Sequence, residues 1–282
     1  MEATLIDGKK IAKEIVEGLK KKASLLKEKP CLAIVMVGKN PASAIYVSGK
    51  EKACGDAGLE CRRINLGENA SEMELLDAVN TLNNDSKVHG ILVQLPLPKQ
   101  IDEQVIINSI LPGKDVDGFS PLSMGALFTG RPHFVPATAV GVVKLIESTG
   151  VPISGKHAVV VGRSNIVGKP VALLLLERNA TVTVCHSKTK SLEDYTKDAD
   201  ILVVAVGRAN TIKGSMVRKG AVVIDVGINR MPGGAIVGDV DFSSVSKVAG
   251  FLTPVPGGVG PMTIACLMEN TVMACERQRK GG

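Results

Sequence analysis

Short β-branched runs alternate with amphipathic stretches from one end of this chain to the other, and no other feature limits its fold as strongly. Parallel neighbours in a sheet need a crossover, usually a helix, so the alternation predicts an α/β protein with parallel sheets. In the first half the spacing predicts strands over residues 32–37, 61–66 and 90–93, with helices over 41–57 and 71–83. Ser71 followed three residues later by Glu74 is a capping-box signature for the second of these helices. After a helical stretch at 139–147 and the turn Gly150-Val151-Pro152, a fresh series opens. Its strands are expected at 158–161, 181–184, 201–204 and 222–226, with a further candidate at 250–252. The Gly- and Pro-rich segments 111–119 and 253–261 read as shaped surface loops.

A chain of 282 residues is long enough for two modest domains. With no Trp, 2 Tyr and 5 Phe, its cores must be aliphatic, and Tyr46 and Tyr195 stand out. The net charge is +6, but the lysines gather in residues 9–29, where Ile11, Ile15, Leu19 and Leu25 or Leu26 recur near helical spacing. That pattern is one solvated helix face. No aromatic residues interleave with it to stack bases, which argues against a nucleic-acid partner and leaves an anionic substrate or phosphorylated cofactor. The cysteines at 31, 54, 61, 185, 266 and 275 form no CxxC pair, and the opening MEATLIDGKK has no apolar signal core. Reduced thiols in a cytoplasmic protein are therefore expected. Apolar runs such as 171–176 and 201–206 are too short to span a bilayer, so no membrane insertion is expected.

The strand at 158–161 runs into Gly162-Arg163-Ser164-Asn165-Ile166-Val167-Gly168-Lys169-Pro170 and then a Leu-rich helix. Strand, tight glycine turn and helix can face a pyrophosphate with backbone N–H groups, and Gly168 removes a Cβ where helix and strand press together. Ser164 stands where the generic dinucleotide fingerprint has its middle glycine, so a turn without a ligand remains a competing reading. The next strand ends Val184-Cys185-His186-Ser187-Lys188, without the acid that usually holds an NAD ribose. With Arg163 on the preceding turn, these groups favour a 2′-phosphate, hence NADP over NAD. Gly207-Arg208 and Gly227-Ile228 fall at later strand ends, where a Rossmann sheet presents its ligand crevice, although isolated glycines there also suit ordinary turns.

In the first half, Tyr46 and Lys50 stand four apart and share a helix face, a spacing most often occupied by a half-buried ring beside a surface ammonium. Gln94 ends an apolar strand, and Lys114-Asp115-Val116-Asp117-Gly118-Phe119 follows. An amide beside a lysine can bond it and affect its proton affinity, and a carboxylate suits a heterocycle with paired N–H donors. Two aspartates without further ligands nearby are a poor metal signature, and no metal is expected.

Five blocks, Tyr46-Val-Ser-Gly-Lys50, Val93-Gln94-Leu95-Pro96-Leu97-Pro98, Lys114 to Phe119, Gly162 to Pro170 and Thr253-Pro-Val-Pro-Gly-Gly-Val-Gly-Pro-Met-Thr263, occur in order over nearly the whole chain. Together they resemble the bifunctional methylenetetrahydrofolate dehydrogenase/methenyltetrahydrofolate cyclohydrolase family. The resemblance implies an αβα folate/catalytic domain over 1–138, completed by a C-terminal helix over 262–282, and a Rossmann-type NADP-binding domain over 139–261, with a cleft between them. It implies NADP-dependent oxidation of 5,10-methylene-tetrahydrofolate and hydrolysis of the methenyl product to 10-formyl-tetrahydrofolate, by a cytoplasmic homodimer. In its terms Lys50 is the catalytic lysine, Gln94 tunes it, Tyr46 stacks on the aminobenzoyl ring and Asp117 grips the pterin. Val93, Leu95, Pro256, Gly257, Gly258, Pro261 and Thr263 complete the folate site. Gly162, Arg163, Ser164, Gly168, His186, Ser187, Gly207 and Ile228 serve NADP. Where the family usually has Pro-Cys-Thr-Pro, this chain reads Pro136-Ala137-Thr138-Ala139, so no nucleophilic thiol is available there. A monofunctional dehydrogenase of the same fold is one alternative, against which Lys50 with Gln94 argues. A non-enzymatic NADP-binding or nucleic-acid-associated protein is another, suggested only by the charge.

Overall fold

The computed structural model describes residues 2–280, apart from the side chains of Ala42 and Lys280. In chain order the first elements are β1 (Thr4–Leu5), α1 (Gly8–Ser24), β2 (Cys31–Val37), α2 (Pro41–Asp56), β3 (Glu60–Leu66), α3 (Glu72–Asn84) and β4 (Gly90–Val93). Then come α4 (Glu103–Ser109), α5 (Pro121–Phe128), α6 (Ala137–Glu147), β5 (His157–Val161), α7 (Gly168–Glu177), β6 (Thr181–Cys185), α8 (Leu192–Thr196) and β7 (Ile201–Val204). The last are β8 (Val222–Asp225), β9 (Asn229–Arg230), β10 (Ile236–Val237), α9 (Phe242–Val245), β11 (Phe251–Leu252) and α10 (Val259–Lys280). Two compact units result, one holding the residues up to Ala12 with Thr138–Thr263, the other Lys13–Ala137 with the residues from Ile264 onward.

The second of these units is built on a parallel sheet of order β3-β2-β4. All seven residues of β2 are buried, as a central parallel strand covered on both faces requires. Val35, Val37, Leu75, Val79, Ile91 and Ile106 form part of one aliphatic core. The capping box is present: Ser71 Oγ accepts from the Glu74 amide at 3.2 Å, and the Glu74 carboxylate accepts from the Ser71 amide at 2.7 Å. At the other end of α3, the Lys114 ammonium donates to the carbonyls of Leu82 and Asp85 at 2.9 and 2.8 Å. It thereby satisfies acceptors that a helix end leaves open.

The segment 111–119 is accordingly no surface loop. Lys114, Asp115 and Val116 are buried, and Asp115 accepts from the amides of Gly118, Phe119 and Ser120 and from the Ser123 hydroxyl. A carboxylate replaces water as partner for four donors, which lets irregular backbone go inside. In α10, Asn270 Nδ2 does related work, donating to the carbonyls of Val116 and Val135 at 2.8 and 3.0 Å.

The other unit carries a six-stranded sheet, β1-β11-β8-β7-β5-β6, parallel throughout. The chain leaves β5 for β6 on one side and then crosses to β7 on the other, which makes the carboxyl ends of β5 and β7 a topological switch point. Two expectations need correcting. The residues up to Ala12, assigned by sequence to the first domain, group with this unit: β1 pairs with β11, and the Lys9 amide at the start of α1 donates to Gly257 O at 3.0 Å. A two-residue strand leaves no periodicity to read. The basic helix also stops at Ser24, so of Leu25 and Leu26, either of which was expected on its apolar face, Leu25 is 85% exposed and Leu26 half-buried; Gly8, Ala12, Leu19 and Ala23 are the buried positions.

A Cβ on Gly8 would fall on the Gly258 carbonyl oxygen, a backbone atom that cannot swing aside. Gly8→Ala is expected to destabilise the fold by about 2 kcal/mol, the usual scale for overpacking. Denaturant unfolding measures this, and an unchanged midpoint would contradict it.

Candidate active site

Lys50 sits one helical turn beyond Tyr46 on α2, and both belong to the unit with the β3-β2-β4 sheet. β4 ends at Val93, which is buried, and the backbone amide of Gln94 continues its pairing by donating to Val35 O at 2.8 Å. That pairing presents the Gln94 side chain toward α2, where the Lys50 ammonium donates to Gln94 Oε1 at 3.0 Å. Gln94 Nε2 donates to Leu95 O at 2.7 Å, so the amide has a determined orientation: its nitrogen is committed to a carbonyl and its oxygen must face the lysine. The oxygen can accept from an ammonium, more strongly, or from a neutral amine, and so holds Lys50 in place in either state.

Burial lowers the proton affinity of Lys50, and the nearby Asp117 carboxylate opposes that shift without cancelling it. Burial likewise pushes the Asp117 carboxyl up to about 6, the Lys50 charge pulling the other way and Asp115 adding to the rise. Each group is therefore moved toward neutral pH by loss of water, one from above and one from below. Opposed shifts of this kind mark the pair as candidates for proton transfer with a bound molecule. Tyr46 is 44% exposed and available to stack.

The second set of residues lies in the other unit. Val161, Gly162, Arg163, Ser164, His186, Ser187, Thr189, Leu192, Ala205, Val206, Arg208 and Thr211 line a cavity of about 420 Å³ at the switch point. A Cβ on Gly162 would fall on the Ala205 carbonyl oxygen, and one on Gly168 on the Gly162 carbonyl oxygen, so both glycines permit the close approach of β5, β7 and α7. Ser164 has a specific task, since its Oγ accepts from the amides of Val167 and Gly168 at 3.2 and 3.3 Å. Those two N–H groups thus turn onto Ser164, which caps a helix whose own N-cap residue, Val167, makes no side-chain bond. His186 is fixed by its amide, which donates to Thr189 Oγ1 at 2.9 Å, and by Nδ1, which accepts from the Lys188 amide at 3.2 Å. The lining holds two guanidinium groups and no carboxylate, a balance suited to a phosphorylated nucleotide.

Of the eight residues expected to serve a dinucleotide, Gly162, Arg163, Ser164, His186 and Ser187 line this cavity. Gly168 packs beneath it, Gly207 turns its amide onto Asp239, and Ile228 lies outside the lining, 47% exposed. Thr189, Leu192 and Thr211 line it without having been expected; an ordinary Thr or Leu in a loop carries no chemical signal. Pro256, Gly257, Gly258, Pro261 and Thr263 also belong to this unit. Gly257 and Gly258 are buried, Gly258 closely faced by Thr253 and Pro254, and Pro261 sits in the first turn of α10, where a missing N–H is harmless. Thr263 Oγ1 lies 3.1 Å from Thr138 Oγ1.

Residues 6–117 match the model of the tetrahydrofolate dehydrogenase/cyclohydrolase catalytic domain, and residues 136–279 that of its NAD(P)-binding domain. The bifunctional protein FolD of Acetivibrio thermocellus is 54% identical over 283 residues, covering 99% of each chain. Among solved structures, the bifunctional FolD dehydrogenase/cyclohydrolase of Campylobacter jejuni superposes with a TM-score of 0.96 at 51% identity, covering 98% of this chain and 99% of that one. The Trypanosoma brucei enzyme, solved with NADP cofactor and inhibitor, gives a TM-score of 0.95 at 39% identity and covers 99% of each.

The raised Asp117 carboxyl has a stability consequence. Its folded pKa of about 6 exceeds the ordinary 3.8, so its contribution is present at low pH and is lost as pH rises through about 6. Between pH 4 and 7 the wild type should therefore lose stability relative to Asp117→Asn. Thermal unfolding of both proteins across that range checks this, and a difference that stays flat or moves in favour of the wild type would contradict it.

Proposed function

Because the chain belongs to the tetrahydrofolate dehydrogenase/cyclohydrolase family, we propose that it oxidises 5,10-methylene-tetrahydrofolate with NADP and hydrolyses the methenyl product to 10-formyl-tetrahydrofolate, Lys50 handling the protons of the second step. The observation that carries this reading is the half-buried Lys50 bonded to Gln94 Oε1 at 3.0 Å. An unperturbed lysine, with a pKa near 10.4, is a poor base at neutral pH, whereas one lowered by burial is a better one.

NADP, when bound, supplies the acceptor for the hydride lost from the methylene carbon. That transfer needs no general acid; it needs donor and acceptor carbons held in line. Gly162, Arg163, Ser164, His186, Ser187 and Arg208 would hold the dinucleotide, the arginines and Ser187 meeting the 2′-phosphate. Tyr46 would stack on the aminobenzoyl ring and Asp117 would bond the pterin edge, with Val93 and Leu95 beside the folate.

In hydrolysis, Lys50 takes a proton from water as its oxygen adds to the methenyl carbon, and returns a proton to the ring nitrogen as the carbon–nitrogen bond breaks. The hydroxyl proton leaves to solvent, so one proton is released per turnover. Gln94 keeps the amine aimed through both transfers. We extend the proposal to a homodimer working in the cytoplasm: the six cysteines, all free thiols, suit a reducing compartment. Among the described residues no helix is long and apolar enough to cross a membrane.

Lys50→Met keeps side-chain length and helix propensity while removing the amine. Hydrolysis of methenyl-tetrahydrofolate should fall at least about a hundredfold, the scale of a lost positioned acid or base, while the dehydrogenase falls less and the methenyl species accumulates. Absorbance assays of both activities, with thermal unfolding as control, test this; near-normal hydrolysis by the folded variant would remove Lys50 from the mechanism. In the same assay the wild type should prefer NADP to NAD, and Arg163→Gln should weaken NADP binding more than NAD binding.

A further inference from the structure

Two carboxylates lie buried beside the dinucleotide cavity, and neither is used by the chemistry above. Asp239 is 0% exposed. Its Oδ2 accepts from the amides of Val206 and Gly207 at 2.6 and 2.9 Å, and its Oδ1 accepts from Asn229 Nδ2 at 2.8 Å. Asp225, at the end of β8, holds the segment from which Asp239 projects. Its Oδ1 accepts from the amides of Gly227 and Asp239, both at 2.9 Å, and its Oδ2 from the Val240 amide at 2.9 Å.

The chain has been shaped around these contacts. A Cβ on Gly227 would fall on the Asp239 carboxyl, and one on Gly238 on the Asp225 carboxyl. Removing a carboxylate from water is costly, and a pair of aliphatic side chains would fill the same space more cheaply. What an aliphatic pair cannot do is point two successive amides inward. Ala205, Val206 and Arg208 line the dinucleotide cavity, while the intervening Gly207, at φ 67°, sends its N–H to Asp239 instead. The side chain of Asp239 therefore determines how the strand-end loop after β7 turns, and with it where Arg208 enters the cavity.

We infer that Asp239 is a positioning residue for the cofactor, holding the Val206–Gly207 amides so that Arg208 meets the dinucleotide. The inference rests on the assignment of this cavity to NADP. It concerns cofactor affinity alone, because hydrolysis of the methenyl substrate is assigned to Lys50 and Gln94.

Asp239→Asn leaves one acceptor for the two loop amides but sets its own NH₂ against that of Asn229. The paired change Asn229→Asp restores a donor–acceptor match with the roles exchanged. The probe is NADPH, titrated by fluorescence without folate, alongside hydrolysis of methenyl-tetrahydrofolate, which consumes no dinucleotide. D239N is expected to bind NADPH about tenfold more weakly, the scale of one mismatched buried hydrogen bond, with hydrolysis within about twofold of wild type. The double variant should recover binding to within about threefold of wild type. If D239N does not fold, the double variant decides alone, since a folded N229D/D239N protein that still binds weakly overturns the inference. D239N binding as tightly as wild type, or losing hydrolysis in proportion to binding, overturns it as well. A wild type that binds no NADPH overturns the cofactor assignment itself, a separable result.

Discussion

A lysine ammonium taken out of water must find acceptors or surrender its proton, and Lys50 has one neutral acceptor, Gln94 Oε1, at 3.0 Å. The rest of the catalytic unit is arranged around that pairing. β2 and β4 lie side by side, so the amide of Gln94 bonds to Val35 and its side chain emerges where α2 passes. The Leu95 carbonyl decides which end of the amide faces the lysine. Asp117 comes from a loop that is internal only because Asp115 and Asn270 satisfy its backbone. Loosen any of these supports and the lysine gains water, and with water the ordinary proton affinity that makes it a poor base.

Buried carboxylates recur as shaping devices. Asp115 gathers the turn that precedes Ser120, Asp225 gathers the backbone at 227 and 239–240, and Asp239 gathers the loop after β7. Each trades the hydration of a charge for several amide donors, which permits an irregular backbone beside a ligand-binding region. Glycines enter where those carboxyls leave no room, as at Gly227 and Gly238.

Much of this was legible in the residues. The β-branched runs marked the longer strands because a parallel strand covered on both faces must be apolar throughout, and Ser71 with Glu74 marked a helix start through reciprocal bonds that no other pair makes so compactly. Lys50, Gln94 and Asp117 were singled out through the family resemblance, since a Tyr and a Lys four apart on a helix are by themselves most often a half-buried ring beside a surface ammonium. β1, β9 and β10 were not legible, being two residues long each. Nor was the role of Asp239, because an aspartate after a glycine in a loop usually faces water and only the three-dimensional closure of that loop turns it inward. The segment 111–119 misled for a related reason: Gly and Asp signal a turn, and only the surrounding elements decide whether it is wet or dry.

The claim that burial makes the Lys50 proton labile is tested most directly by ¹⁵N NMR of the lysine side chains, with the Lys50 Nζ resonance assigned by its loss in Lys50→Met. In the wild-type protein that resonance should titrate below the ordinary lysine range near 10.5. Titration at or above that value would show Lys50 to be a permanent cation at neutral pH, and would contradict its service as the base that opens the methenyl ring.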